Sequence, residues 1–208
     1  MKIIIVSNPK AIIHEIETVK SLFKSGLEVF HLRKPGYSKK QYEAYLDRIP
    51  SKYWNRIVIH DHFILALKYN LKGVHISGRH KSKSISQSLK LYLLKFLKPD
   101  LKISATHYTL ASFKKYDRKY EYVFLSPVFD AISEDHRRSP FRTEDIRLIN
   151  ANPEYRVIAM GGVQEQRIPM AKDLGFNGVA LLGSIWKSKD PVGLFSNIKL
   201  NIETAGAA

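Results

Sequence analysis

RVIAMGGVQEQRIPMAKDLGFNGVALLGSI, residues Arg156–Ile185, decides the fold. Two apolar, strand-like runs, Val157–Met160 and Val179–Leu182, are joined by one amphipathic helical segment. The first run ends in Gly161-Gly162 and the second in Gly183-Ser184. Glycine lets the backbone come close to a bound group, and N–H groups at a following helix start favour an anion. Paired loops of this kind after the last two strands form the phosphate site of many (β/α)8 barrels. The plainer account is two strand-to-helix turns with glycine for steric reasons alone. Either way, a barrel requires six earlier units.

The chain supplies them in order. Ile3–Val6 reads as a buried strand, and Ile12–Lys24 as a helix with Ile12, Ile16, Val19, Leu22 and Phe23 at helical spacing, closed by Gly26. Glu28–Leu32 is the second strand, and Ser38 caps a helix through Arg48 that presents Tyr42, Tyr45, Leu46 and Ile49 on one face. Strands at Arg56–Ile59, Gly73–Ile76, Lys102–Ser104 and Tyr122–Leu125 alternate with helices at Phe63–Tyr69, Ser86–Leu97, Thr109–Tyr116 and Phe141–Asn150, the last with Thr143 as its cap. Pro191–Ile202 closes the chain. Eight continuously apolar strands alternating with helices mean a buried parallel sheet. There is no GxGxxG after the first strand to argue for an open dinucleotide-binding sheet. The expected fold class is α/β, a single (β/α)8 TIM barrel over residues 1–202 with a disordered tail at 203–208. The loop at 128–140 is long enough to be a lid.

At 208 residues the chain is short for a barrel of roughly 250. It carries 34 Lys+Arg against 19 Asp+Glu, a formal net charge of +15, which suggests anionic partners. Ten of the bases lie between Lys81 and Tyr120, against only Asp100 and Asp117, but they are dispersed and form no nucleic-acid motif. With no cysteine there are no disulfides and no thiolate ligands or nucleophiles. No run approaches the roughly 18 apolar residues of a membrane span, and MKIIIVSNPK is too brief for a signal peptide. The expectation is a cytoplasmic enzyme with no nucleic-acid or membrane partner, with a homo-oligomer as one option.

In a barrel, reactive side chains sit at the C-terminal ends of strands. Six of the eight histidines fall there: His31, His60, His62, His75, His80 and His107. They share that rim with Arg33, Asp61, Ser104 and Ser126. Two chemistries fit. In a metal-dependent hydrolase, His60 and His62 would bind zinc or iron, completed by His75 or His107. Alternatively Arg33 and the glycine loops hold an anionic substrate, and His107 moves a proton.

Six segments then carry a resemblance: FHLRKP (Phe30–Pro35), IVIHDHFILALKYNLKGVHIS (Ile57–Ser77), ISATH (Ile103–His107), YVFLSPVFD (Tyr122–Asp130), VIAMGGV (Val157–Val163) and GVALLGSIW (Gly178–Trp186). In order and spacing the chain resembles the thiamine phosphate synthase/TenI family over nearly its whole length. The resemblance implies that the last glycine loops, Gly161, Gly162, Gly183 and Ser184, hold the phosphate of a thiazole phosphate. It implies further that Arg33 binds pyrophosphate, that Asp61 binds Mg²⁺, and that Ser104 opens the fifth-strand motif. His107 lies within one residue of the TenI histidine.

Departures cluster elsewhere. His31 replaces the family's glutamine, Pro35 its lysine (with Lys34 as a displaced substitute), His60 its asparagine and His80 its second acidic Mg²⁺ ligand. Ala131-Ile132-Ser133-Glu134 replaces its Thr-x-Thr-Lys loop; Ser133 keeps one hydroxyl, while Glu134 reverses the lysine's charge. Mg²⁺ binding is thereby weakened, with Asp61 the one expected carboxylate retained. A thiazole tautomerase needs only an anchored phosphate and a base near neutrality, so a TenI-like role with His107 as base is the first reading. Thiamine phosphate synthase is the alternative. A metal-dependent hydrolase and a non-catalytic binder of phosphorylated small molecules follow.

Overall fold

A computed structural model describes residues 1–77, 85–113, 120–130 and 139–204. Eight parallel strands close into a barrel in sequence order. They are β1 (Lys2–Val6), β2 (Val29–Leu32), β3 (Ile57–Ile59), β4 (Gly73–Ile76), β5 (Lys102–His107), β6 (Tyr122–Leu125), β7 (Val157–Met160) and β8 (Gly178–Leu181). The ring is completed where β1 pairs with β8, with Ile3 opposite Val179. Helices α1 (Glu15–Lys24), α2 (Lys39–Asp47), α3 (Leu65–Lys68), α4 (Ile85–Leu97), α5 (Leu110–Phe113), α6 (Thr143–Asn150), α7 (Ile168–Asp173), α8 (Gly183–Trp186) and α9 (Pro191–Thr204) make the outer layer. The (β/α)8 reading holds.

Several helix ends differ from the sequence reading. The first helix begins at Glu15, because His14 stands in the left-handed region (φ 62°) and breaks the run. Ile12 therefore leaves the apolar face, and Ile13 is 86% exposed. Thr143 is the first residue of α6 and not its cap; Arg142 holds the cap position, with no side-chain bond. Ser38 does cap α2: its hydroxyl accepts from Gln41 N–H at 3.3 Å and the Gln41 side chain accepts from Ser38 N–H at 2.8 Å. The last helix runs two residues past Ile202, to Thr204.

Alternation along the strands divides the buried side chains into two cores. The larger lies between strands and helices and includes Ile5, Phe30, Ile59, Val74, Ile103, Ala105 and Leu181. The smaller fills the barrel: Ile4, Val6, Val29, Val58, Tyr122, Phe124, Ile158 and Ala180, with Met160 and Leu182 against it. No member of that inner cluster comes from β4 or β5. Their inward positions carry Gly73, His75, Ser104 and Thr106, and the next inward positions after Val29 and Val58 are His31 and His60. The barrel interior is apolar on β1 and β6–β8, and polar along β4 and β5 and at the C-terminal ends of β2 and β3.

Candidate functional site

The glycine loops sit where the sequence put them, but the glycines have different reasons. Gly161 and Gly162 have φ of 87° and 63°. A Cβ on Gly161 would fall 2.7 Å from Pro127 Cα, and one on Gly162 2.6 Å from the Asp130 carbonyl oxygen. Both are demanded by close packing on the segment after β6. That segment is tied down by Val128 N–H to Met160 O (2.9 Å) and Phe129 N–H to Gly161 O (3.2 Å). Arg167 straps the two loops together, donating to Asp130 O and Gly162 O, both at 3.0 Å, with its guanidinium over the Phe129 ring. Gly183 differs: its φ is ordinary and nothing lies within 4 Å of an added Cβ. It borders a cavity of about 540 Å³ shared with Gly162, Ser184 and Lys187. The Ser184 hydroxyl is buried there with no hydrogen-bond partner among the described residues. Open space, an unmatched hydroxyl and a lysine in the lining suit an anion.

On the other side of β1, the loop after β2 is clamped by Ser7. Its hydroxyl donates to Arg33 O at 2.9 Å and accepts from Arg33 N–H at 2.8 Å. The half-buried Arg33 side chain lies near the Tyr42 hydroxyl, which accepts from Lys34 N–H at 3.1 Å and is hydrogen-bonded to Asp61. Burial raises the Tyr42 phenol well above its ordinary value; Asp61 adds to the rise, and Lys34 N–H and Arg33 oppose it. The charges of Arg33 and Asp61 thus both bear on one tyrosine hydroxyl.

Lys34, the displaced substitute, is unavailable to a ligand. Its ammonium is buried, pairs with Glu15 and donates to Lys10 O at 2.9 Å.

His107 also needs correcting as a base at the mouth. It shares strand parity with Ile103 and Ala105, the outward positions of β5, and is packed against Phe113 of α5 with ring centroids 5.3 Å apart. Its Nδ1 is 3.2 Å from the Ser112 hydroxyl. One residue of register decides this, since a strand side chain changes face at each step.

Ser104 faces inward, 2.8 Å from His75 Nδ1, and hydrogen-bonds Tyr122. His31 belongs to the same interior network. Its Nε2 is 2.6 Å from Tyr122 Oη and its Nδ1 3.0 Å from His60 Nε2. His75 Nε2 meets the Thr106 hydroxyl at 2.7 Å. Burial holds the His31 imidazole near a pKa of about 3. His62 turns away: its Nε2 lies 2.8 Å from the Tyr37 carbonyl. Ser133, His80 and Glu134 lie outside the described residues, as does most of the loop at 128–140. Sequence reasoning missed Ser7, Tyr42, Thr106 and Tyr122. Only Tyr122 left a signal, a tyrosine at an inward position of a buried strand.

The family model for thiamine monophosphate synthase matches residues 3–185. A thiamine-phosphate synthase of Limosilactobacillus reuteri is 24% identical over 195 residues, covering 88% of this chain and 86% of the relative. One from Photorhabdus laumondii is 24% identical over 184 residues, covering 86% and 82%. Among solved structures, a thiamine phosphate pyrophosphorylase from Bacteroides thetaiotaomicron superposes with a TM-score of 0.78 at 28% identity, covering 98% of each chain. Another, from Pyrococcus furiosus, gives 0.75 at 20%, covering 98% and 96%, which speaks to the fold. With six matching segments, a closed eight-stranded barrel and a family match over nearly its whole length, this chain belongs to the thiamine phosphate synthase/TenI family.

Proposed function

We propose that the chain catalyses the synthase reaction, joining thiazole phosphate to hydroxymethylpyrimidine pyrophosphate with loss of pyrophosphate. The opposite charges of Arg33 and Asp61, both acting on the Tyr42 hydroxyl at the ends of β2 and β3, carry this reading. An arginine fork matches the oxygens of a pyrophosphate leaving group, and its charge stabilises what develops as the bond breaks. The Ser7 clamp holds that arginine's backbone in place, so little ordering is required when substrate arrives. The Gly183–Ser184 loop and Lys187 would take the thiazole phosphate.

Mg²⁺ is usually held by one or two carboxylates plus substrate phosphates, so Asp61 with the pyrophosphate oxygens fits it. When bound, the ion neutralises pyrophosphate charge. The names of the relatives support the synthase over the tautomerase. A tautomerase needs a base in the mouth, and with His107 facing α5 the inward histidines at strand ends are the buried His31, His60 and His75.

The test supplies both substrates with Mg²⁺ and measures thiamine phosphate. Arg33→Ala is expected to lower kcat/KM about 10- to 150-fold, the worth of a charged hydrogen bond of about 1.5–3 kcal/mol. No thiamine phosphate from the wild type, with turnover of the thiazole carboxylate phosphate instead, would reverse the assignment.

The two glycine loops make a second test. Gly162→Ala is expected to cost about 1–3 kcal/mol of stability, because its φ of 63° and the Asp130 carbonyl leave no room. Gly183→Ala should melt like the wild type yet raise KM for thiazole phosphate. Equal melting loss in both would remove the ligand argument for Gly183.

A further inference from the structure

The polar wall of the barrel brings together three imidazoles from neighbouring strands: His31 on β2, His60 just after β3 and His75 on β4. All three are buried, and a donor nitrogen of each lies within 4.8 Å of the other two. The geometry points to a site for a transition-metal ion, Zn²⁺ or Co²⁺, held by His31, His60 and His75 with its fourth position left to water or an anion.

The distances are close to what such an ion needs. Zn–N bonds of about 2.0–2.1 Å at tetrahedral angles set donor nitrogens about 3.3 Å apart. His31 Nδ1 and His60 Nε2 are already 3.0 Å apart. Closing the widest pair, which is within 4.8 Å, asks one ring to shift by no more than about 1.5 Å. His60 and His75 stack with centroids 4.3 Å apart at 24°, and His31 meets each of them edge-on, so the three rings already share one small volume.

Outer partners are present as well. A ligating histidine usually has its other nitrogen held by a hydrogen bond that orients the ring. His31 Nε2 has Tyr122, leaving Nδ1 for the ion. His75 has Ser104 on Nδ1 and Thr106 on Nε2, one of which would keep its bond while the other yields to the ion. Three imidazoles without a carboxylate favour Zn²⁺, Co²⁺, Ni²⁺ or Cu²⁺ and not Mg²⁺, which requires oxygen donors. The site is thus chemically separate from Asp61 and its pyrophosphate role, and its test does not depend on turnover. It also differs from the His60/His62 pairing that the sequence suggests, since His62 is directed at the Tyr37 carbonyl.

Chelator-stripped full-length protein is titrated with Co²⁺, following the visible absorption of tetrahedral cobalt. The expected result is one ion per chain, displaced by equimolar Zn²⁺ and unaffected by a large excess of Mg²⁺. His31→Gln, His60→Asn and His75→Gln should each lower affinity by more than the 10- to 100-fold that loss of an outer partner costs. Tyr122→Phe should fall within that 10- to 100-fold range. His62→Asn and His107→Asn should bind as the wild type. Should any ligand variant fail to fold, ¹⁵N resonances of the wild-type imidazoles identify the ligands, because His31, His60 and His75 alone should shift on adding Zn²⁺. Binding that survives loss of the trio, binding lost in His62→Asn or His107→Asn, or wild-type protein that takes up no ion would overturn the site. In that last case the imidazoles are a hydrogen-bonded core and nothing more.

Discussion

Lys34→Met is expected to lower the unfolding free energy by about 3–5 kcal/mol, the usual result of stripping one partner from a buried ion pair. Lys34 is 1% exposed and its partner Glu15 is 4% exposed. The ammonium also donates to Lys10 O at 2.9 Å and lies within 6 Å of the ring centroids of Tyr37 and Tyr45 (5.9 and 5.7 Å). Glu15 in turn accepts from Asn8 N–H at 3.0 Å, so the pair joins the loop after β1 to the loop after β2. Burial raises the Glu15 carboxyl above its ordinary value, and the Lys34 hydrogen bond and charge only partly offset it. Without the lysine, that carboxylate has lost its compensation. A Glu15→Met, Lys34→Met double variant should regain most of the loss, because two apolar side chains of similar volume carry no desolvation penalty. Urea unfolding at neutral pH reads both values. A single-variant loss under about 1 kcal/mol would mean the pair is solvated and not buried.

Acid should weaken the metal-free protein through His31. Its imidazole titrates near pH 3 in the folded barrel because burial disfavours the cation, against 6.5 for the ordinary group. Above pH 6.5 the residue is neutral in both states and contributes no pH dependence. Below 6.5 the unfolded chain takes up a proton that the folded barrel refuses, so stability falls as pH falls. The slope is about 1.4 kcal/mol per pH unit, or about 4 kcal/mol between pH 6.5 and 3.5. Other groups titrate in the same range, so the informative quantity is the difference between wild type and His31→Gln. Wild-type stability should drop more steeply with acid than the variant's, by one proton's worth. Parallel curves from pH 6.5 to 4 would show that His31 does not resist protonation.

The strands were legible because apolar runs bounded by glycine and proline are local signals, and the eight of them permit few topologies. The glycine loops were legible for the same reason: Gly161-Gly162 and Gly183-Ser184 are short patterns at strand ends. Helix starts were harder. Ile12 and Ile13 continue an apolar period that His14, in a left-handed conformation, interrupts; nothing in the residue types reports that. Of the rim histidines, His80 lies outside the described residues and the others divide. His31, His60 and His75 do gather on one wall, whereas His62 and His107 belong to other surroundings.

By itself the sequence determined the alternation, the barrel and the family, since each rests on order and spacing along the chain. Tertiary structure decided which side chains share a space. That choice depends on strand parity and on the pairing register between neighbours, where a step of one residue sends a side chain to the opposite face. His107 thereby leaves the mouth for the helix layer, Lys34 leaves it for Glu15, and three imidazoles separated by 29 and 15 positions in the chain meet inside the barrel.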